Sequence, residues 1–118
     1  MDKDPRVPAE HILDAIANIE SDLAGYDLAR LANDRRARQL LERNLEIVSE
    51  ASRRLPDRLT KTEPGIPWRA IAGIGNILRH AYHRTDPEIL WTTVERDLPP
   101  LKDAVGRLLA ALSDNEGT

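Results

Sequence analysis

PWRAIAGIGNILRHAYHR, residues 67–84, is the stretch on which the fold turns. Trp68, Ile71, Ala72, Ile74, Leu78 and Ala81 recur at helical intervals and make one core-facing side. Pro67 suits a first turn, where its missing N–H costs nothing. The spacing therefore predicts a helix over 67–83. Asn76, His80 and His83 fall at i, i+4 and i+7, on a second face, with Arg79 beside it. Gly73 and Gly75 stand inside this helix, where each costs about 1 kcal/mol relative to Ala. That cost is tolerable where another backbone or a ligand must come close, or where helices simply pack tightly.

The flanking sequence has the same period. Ile12, Ala15, Ile16, Ile19 and Leu23 mark a helix over 8–24, with Pro8 in its first turn and Gly25 past its end. Residues 26–33 read as a short turn. Asp34 is a candidate cap for a long helix to about Leu55, with a stripe of Ala37, Leu40, Leu41, Leu45, Val48 and Ala51 and with Asn44 on the same face. Pro56 ends or bends it, and 60–67 read as a loop around Pro64-Gly65 and Pro67. Asp86 followed by Pro87 predicts the start of a helix over 87–97. Pro99-Pro100 begins a last helix through about Leu112, after which 113–118 should fray. No stretch alternates with period two. The expectation is all-α: an antiparallel bundle of four or five helices, as a single domain over 1–118.

Composition narrows the function classes. The chain has 118 residues, 41% apolar and 31% charged, with no Cys and no Phe. Disulfides and thiolate metal sites are excluded, which fits a reducing cytoplasm. No apolar run approaches the ~20 residues of a membrane span, and the acidic N-terminus does not read as a signal peptide. Without Phe the core must be Leu, Ile, Ala and Val, and a dimer interface would enlarge it. The net charge of −3 is unevenly spread: −5 over 1–27, +4 over 28–61, +2 over 62–84 and −4 over 85–118. The basic middle could face a polyanion; for Arg35, Arg36 and Arg38 alone a solvated, salt-bridged helix is the preferred reading.

Arg79, His80, Tyr82, His83 and Arg84 crowd into six positions of a chain with three His and two Tyr. Residue types alone leave three readings. One is a surface His pair complementing the helix macrodipole. Another is a metal site, for which His80 and His83 find no carboxylate on their own helix to complete the set. The third is a phosphodiester site, with an imidazole for acid–base work and a guanidinium for phosphate oxygens.

The segment 66–101, IPWRAIAGIGNILRHAYHRTDPEILWTTVERDLPPL, resembles the C-terminal half of the HepT-like branch of the HEPN superfamily. LLERNLEIVSEASRRLP, residues 40–56, is similar to the long helix before it. The resemblance implies a small helical bundle that forms a symmetric dimer. It also implies a metal-independent, cofactor-free ribonuclease toxin that cuts RNA at a cleft between subunits. The implied partner is an MntA-type nucleotidyltransferase antitoxin that adds AMP to a tyrosine of the toxin. The family motif is Arg, four to six residues, then His, continued in this branch as His-x-Tyr. His80 matches the motif His, Tyr82 the tyrosine, and Asn76 the polar residue after the motif Arg. The Arg position itself holds Gly75. On this resemblance His80 is the acid–base group, Arg79 the nearest guanidinium, Asn76 the positioning group and Tyr82 the modified residue. Arg43, His83 and Arg84 are candidate RNA contacts, and Glu50 is a second polar cleft position. Gly75 supports an alternative: a catalytically degenerate binding subunit of a nucleotidyltransferase complex. A plain helical scaffold would require the His80 face to be packed in the core.

Overall fold

The computed structural model describes residues 4–80 and 86–116 of the chain, and all their regular structure is helical. Helix α1 (Arg6–Asp22) packs along α3 (Arg35–Arg53). Helix α5 (Trp68–His80) lies against another side of α3, and α7 (Leu98–Glu116) packs on α1. The long helix α3 is thus the centre of the bundle. Its apolar stripe explains this position: Ala37, Leu41, Leu45, Val48 and Ala51 are all at most 5% exposed. Ile12, Ile16 and Ile19 of α1 and Leu101, Val105 and Leu108 of α7 complete the same core.

Two short helices join the expected ones, the first in place of the expected turn at 26–33. Within 26–33 lies α2 (Leu28–Ala32), capped by Asp27, whose carboxylate accepts from the Arg30 N–H at 2.8 Å. Five residues are too few to show a helical period, so the segment read as a turn. After Pro56 comes α4 (Asp57–Thr60), a single turn. The expected caps hold elsewhere. Asp34 accepts from the Ala37 N–H at 3.0 Å and Asp86 from the Glu88 N–H at 2.9 Å. Gly25 takes φ +79°, the left-handed conformation that suits Gly past a helix end.

The C-terminal region departs from expectation at Pro99-Pro100. Helix α6 (Pro87–Thr92) runs through a π-helical turn, Thr93–Asp97, directly into α7. Neither proline can donate to the carbonyl four residues before it, so the α pattern fails at Glu95 and Arg96. The Leu98 N–H instead reaches the Thr93 carbonyl, five residues back. The wider turn carries the helix across the prolines rather than breaking it. α7 then continues to Glu116, past the expected end at Leu112. Leu40 also differs from its expected place on the α3 stripe: it is 44% exposed. It stands about 100° around the helix from Leu41, at the edge of the buried arc.

Long-range polar contacts fix the loop before α5. Arg107 of α7 holds Glu63 through two bonds of 2.9 and 2.8 Å, and the Trp68 indole N–H donates to the Glu63 carbonyl at 3.0 Å. The start of α5 is therefore tied through Glu63 to α7.

Candidate functional site

Helix α5 carries the sequence-predicted site. Ile71 is 3% exposed and Gly75 is buried, whereas Arg69 and Asn76 are exposed. The helix thus has a packed side against α3 and an open side running through Arg69 and Asn76. Arg79 and His80 are the last two residues of α5. His80 follows Asn76 by four residues, one turn further along the helix. Tyr82, His83 and Arg84 lie outside the described residues.

The packed side is fastened by polar groups at the turn that contains Gly75. The Ser49 hydroxyl of α3 accepts the Gly75 N–H at 3.0 Å and donates to the Ala72 carbonyl at 2.8 Å. The Arg53 guanidinium donates to the same carbonyl through Nε at 3.0 Å and Nη2 at 2.7 Å. Ser49 is 1% exposed, so its bonds form away from competing water. Insertion of side chains into a helix's own bonding ladder at this point locks the position of α5 relative to α3.

Arg43 is placed elsewhere. It precedes Ser49 by six residues, about 120° around α3, and is exposed with Glu46 4.0 Å away. With His11, Glu46, Glu50 and Arg54 it lines an open groove of about 470 Å³ between α1 and α3. The structure brings Asn76 and His80 onto one helix and leaves Arg43 in this separate groove. Glu50 faces both ways: it lines the groove and stands 3.7 Å from Arg53.

Ser49 and Arg53 were not singled out by the sequence reading. Their signal was indirect. Gly75 faces Ser49, whereas a Cβ at Gly73 would meet nothing within 4 Å, and Ser49 and Ser52 lie on the buried side of α3, where a hydroxyl needs a partner.

A further surface flanks the site. Ile77 is 61% and Ile89 57% exposed, and with Leu45, Ile74, Leu78 and Leu90 they line a small apolar recess of about 60 Å³ between α5, α3 and α6.

Comparison with known proteins fixes the family. The Ribonuclease HepT-like family model matches residues 12–108, a span from α1 to α7. The chain belongs to the HepT-like ribonuclease family. A probable ribonuclease HepT of Thermococcus cleftensis is 35% identical over 84% of this chain and 90% of its own length. Candidate RNases of Caldanaerobacter subterraneus subsp. tengcongensis and Methanocaldococcus jannaschii are 30% and 32% identical. They cover 91% and 80% of this chain, and 96% and 86% of their own lengths. No solved structure matches significantly. The all-helical architecture agrees with the bundle expected for a HepT-like chain, and no helix among its described residues is long and apolar enough to cross a membrane.

Proposed function

We propose that this HepT-like chain is a metal-independent endoribonuclease toxin that works in the cytoplasm as a homodimer. The observation that carries the reading is the open side of α5. Asn76 is exposed there, one turn before His80, on a helix whose other side is locked to α3. A rigid helix that presents the Asn76 amide to solvent, and carries His80 one turn later in the chain, suits a substrate as large as RNA.

In the proposed reaction His80 takes the proton of the ribose 2′-hydroxyl, or gives one to the leaving 5′-oxygen. The 2′-oxygen attacks phosphorus, the P–O5′ bond breaks, and a 2′,3′-cyclic phosphate remains. Arg79 stabilises the extra charge on the phosphorane oxygens, and Asn76 holds the reacting group in place. Arg43, His83 and Arg84 contribute to RNA binding. The apolar recess around Ile77 and Ile89 supports pairing of two copies, which would set two α5 helices across one cleft. An MntA-type nucleotidyltransferase is the proposed antitoxin partner.

The test is His80→Ala, assayed on a fluorophore–quencher oligoribonucleotide and by growth arrest on expression. Losing a positioned acid–base group costs about 10²–10⁴ in rate, with the far-UV spectrum and melting temperature retained. Undiminished cleavage removes His80 from the mechanism.

Gly75 favours a second reading, a catalytically silent binding subunit. Position 75 is buried and its amide is tied to Ser49, so no cation starts from it. A chain that neither cleaves RNA nor arrests growth without a partner, yet binds the nucleotidyltransferase, would establish this reading.

A further inference from the structure

A phosphodiester under attack gathers charge on its non-bridging oxygens, and one fixed donor aimed at developing charge is worth about 10²–10³ in rate. The turn of α5 around Gly75 offers no cationic side chain of its own: residues 70–78 are apolar apart from Asn76. It nevertheless carries a guanidinium. Arg53 reaches across from α3 and docks on the Ala72 carbonyl through Nε and Nη2.

Three features make this more than a surface salt bridge. The docking is bidentate, and the neighbouring Ser49 hydroxyl holds the same carbonyl and the Gly75 N–H, so the guanidinium has a fixed seat. The side chain is still 40% exposed. Ala72 stands three residues after Arg69 and four before Asn76, so all three share one side of α5, and both flanking residues are exposed. A guanidinium has five N–H donors. Nε–H and one Nη2–H meet Ala72, which leaves the Nη1 pair and the second Nη2–H. The nearest anion to Nη1 is Glu50 Oε2 at 3.7 Å, an exposed carboxylate that an incoming phosphate can displace.

We propose that Arg53 is a phosphate-binding residue of the RNA site, supplying from α3, through its dock on Ala72, the guanidinium that position 75 of α5 lacks. RNA then runs along the Arg69–Ala72–Asn76 side of α5, with Arg53 on the phosphate that is cut. This rests on the ribonuclease reading above.

Binding and turnover test it separately. Binding is measured by anisotropy with a 2′-O-methyl oligoribonucleotide, which has no free 2′-hydroxyl and cannot be cut, between about 50 and 200 mM salt. Arg53→Gln should flatten the log K against log salt slope by about 0.7, one single-strand phosphate contact. Arg53→Lys should keep the slope, and Ser49→Ala, which loosens the same turn without changing charge, should keep it too. On a cleavable oligoribonucleotide Arg53→Gln should lower kcat by about 10²–10³. Glu50→Gln, which spares the dock on α5, should tighten binding of the uncleavable probe. An unchanged slope in Arg53→Gln overturns the proposal. So does an equal loss of slope in Ser49→Ala, which would make the effect a loosening of α5. If Arg53→Gln does not fold, unchanged probe affinity in Glu50→Gln overturns it. Inactive His80→Ala beside fully active Arg53→Gln sinks the Arg53 role alone. Fully active His80→Ala sinks the His80 mechanism and leaves the slope measurement standing.

Discussion

The hydroxyl of Ser49 accepts the amide hydrogen of Gly75 at 3.0 Å, a bond between α3 and α5 across 26 residues of sequence. The hydroxyl also donates to Ala72 at 2.8 Å, so one buried oxygen serves a donor and an acceptor of the same helical turn. The helix that carries Asn76 and His80 is thereby referenced to the central helix of the bundle.

Ser49→Ala removes this link and leaves a buried amide with a lost partner. An unsatisfied buried donor costs about 1–3 kcal/mol. Urea unfolding should show a loss in that range, and hydrogen exchange should rise first in α5. Ser49→Thr keeps the hydroxyl and should recover part of the loss. Unchanged stability in Ser49→Ala would mean that the Gly75 contact contributes nothing.

Asp34 predicts an acid limit. Its carboxylate is held below the usual range first by the Tyr26 hydroxyl, 2.6 Å away, and then by the Ala37 N–H that it caps. The same pairing pushes the Tyr26 phenol up. A carboxyl whose folded pKa is depressed gives stability that is complete above its unfolded pKa, about 4. That stability is lost as pH falls through the folded value. Tyr26→Phe should therefore lower the melting temperature at pH 7 and have little further effect once Asp34 is protonated. Melts across pH 2–7 that show a constant difference between the two proteins would rule out the linkage.

Much of this fold was legible because its signals are local. The α1 and α3 stripes are periodic over many residues, and Asp34, Asp86-Pro87 and Gly25 mark ends that the backbone chemistry demands. The π turn was not legible, because Pro99-Pro100 reads equally as a start and as an interruption that a wider turn absorbs. The candidate site divides in the same way. Asn76 and His80 share a helix, so spacing alone sets them one turn apart. Arg53 was hidden: beside Glu50 it reads as a surface pair at i, i+3, and its bond to Ala72 spans 19 residues that no periodicity connects. Leu40 was misplaced because a wheel assigns a residue at the edge of a stripe to either side.

Self-association should depend on the apolar recess beside α5. Ile77 and Ile89 are both more than half exposed, on neighbouring helices. Buried apolar surface contributes about 25 cal/mol per Å², so a pair of isoleucines from each copy would be a substantial part of a small interface. Sedimentation at micromolar concentration should give a dimer for the native chain. Ile77→Lys with Ile89→Lys should give a folded monomer with little RNA cleavage. A native monomer, or a double variant that remains dimeric, would place the interface elsewhere or remove it.

Tyr82 is the proposed target of the antitoxin, and the other tyrosine supplies the control. The Tyr26 hydroxyl donates to Asp34 at 2.6 Å and its ring lies 4.0 Å from the Arg30 guanidinium, so that phenol is already engaged at the start of α3. Tyr82 follows His80 by two residues. An AMP on its oxygen would set a bulky anion beside the acid–base group, where it blocks the cleft and repels RNA phosphate. The transfer joins the phenol oxygen to the α-phosphorus of ATP and releases pyrophosphate. Incubation with an MntA-type nucleotidyltransferase and ATP should add whole adenylyl units to the intact mass. Cleavage of the fluorogenic RNA should fall in proportion. Tyr26→Phe should accept the modification fully, and Tyr82→Phe should refuse it and stay active in the presence of the transferase. Adenylylation retained in Tyr82→Phe would move the modified residue elsewhere, and an unmodified chain beside an active transferase would leave silencing to binding alone.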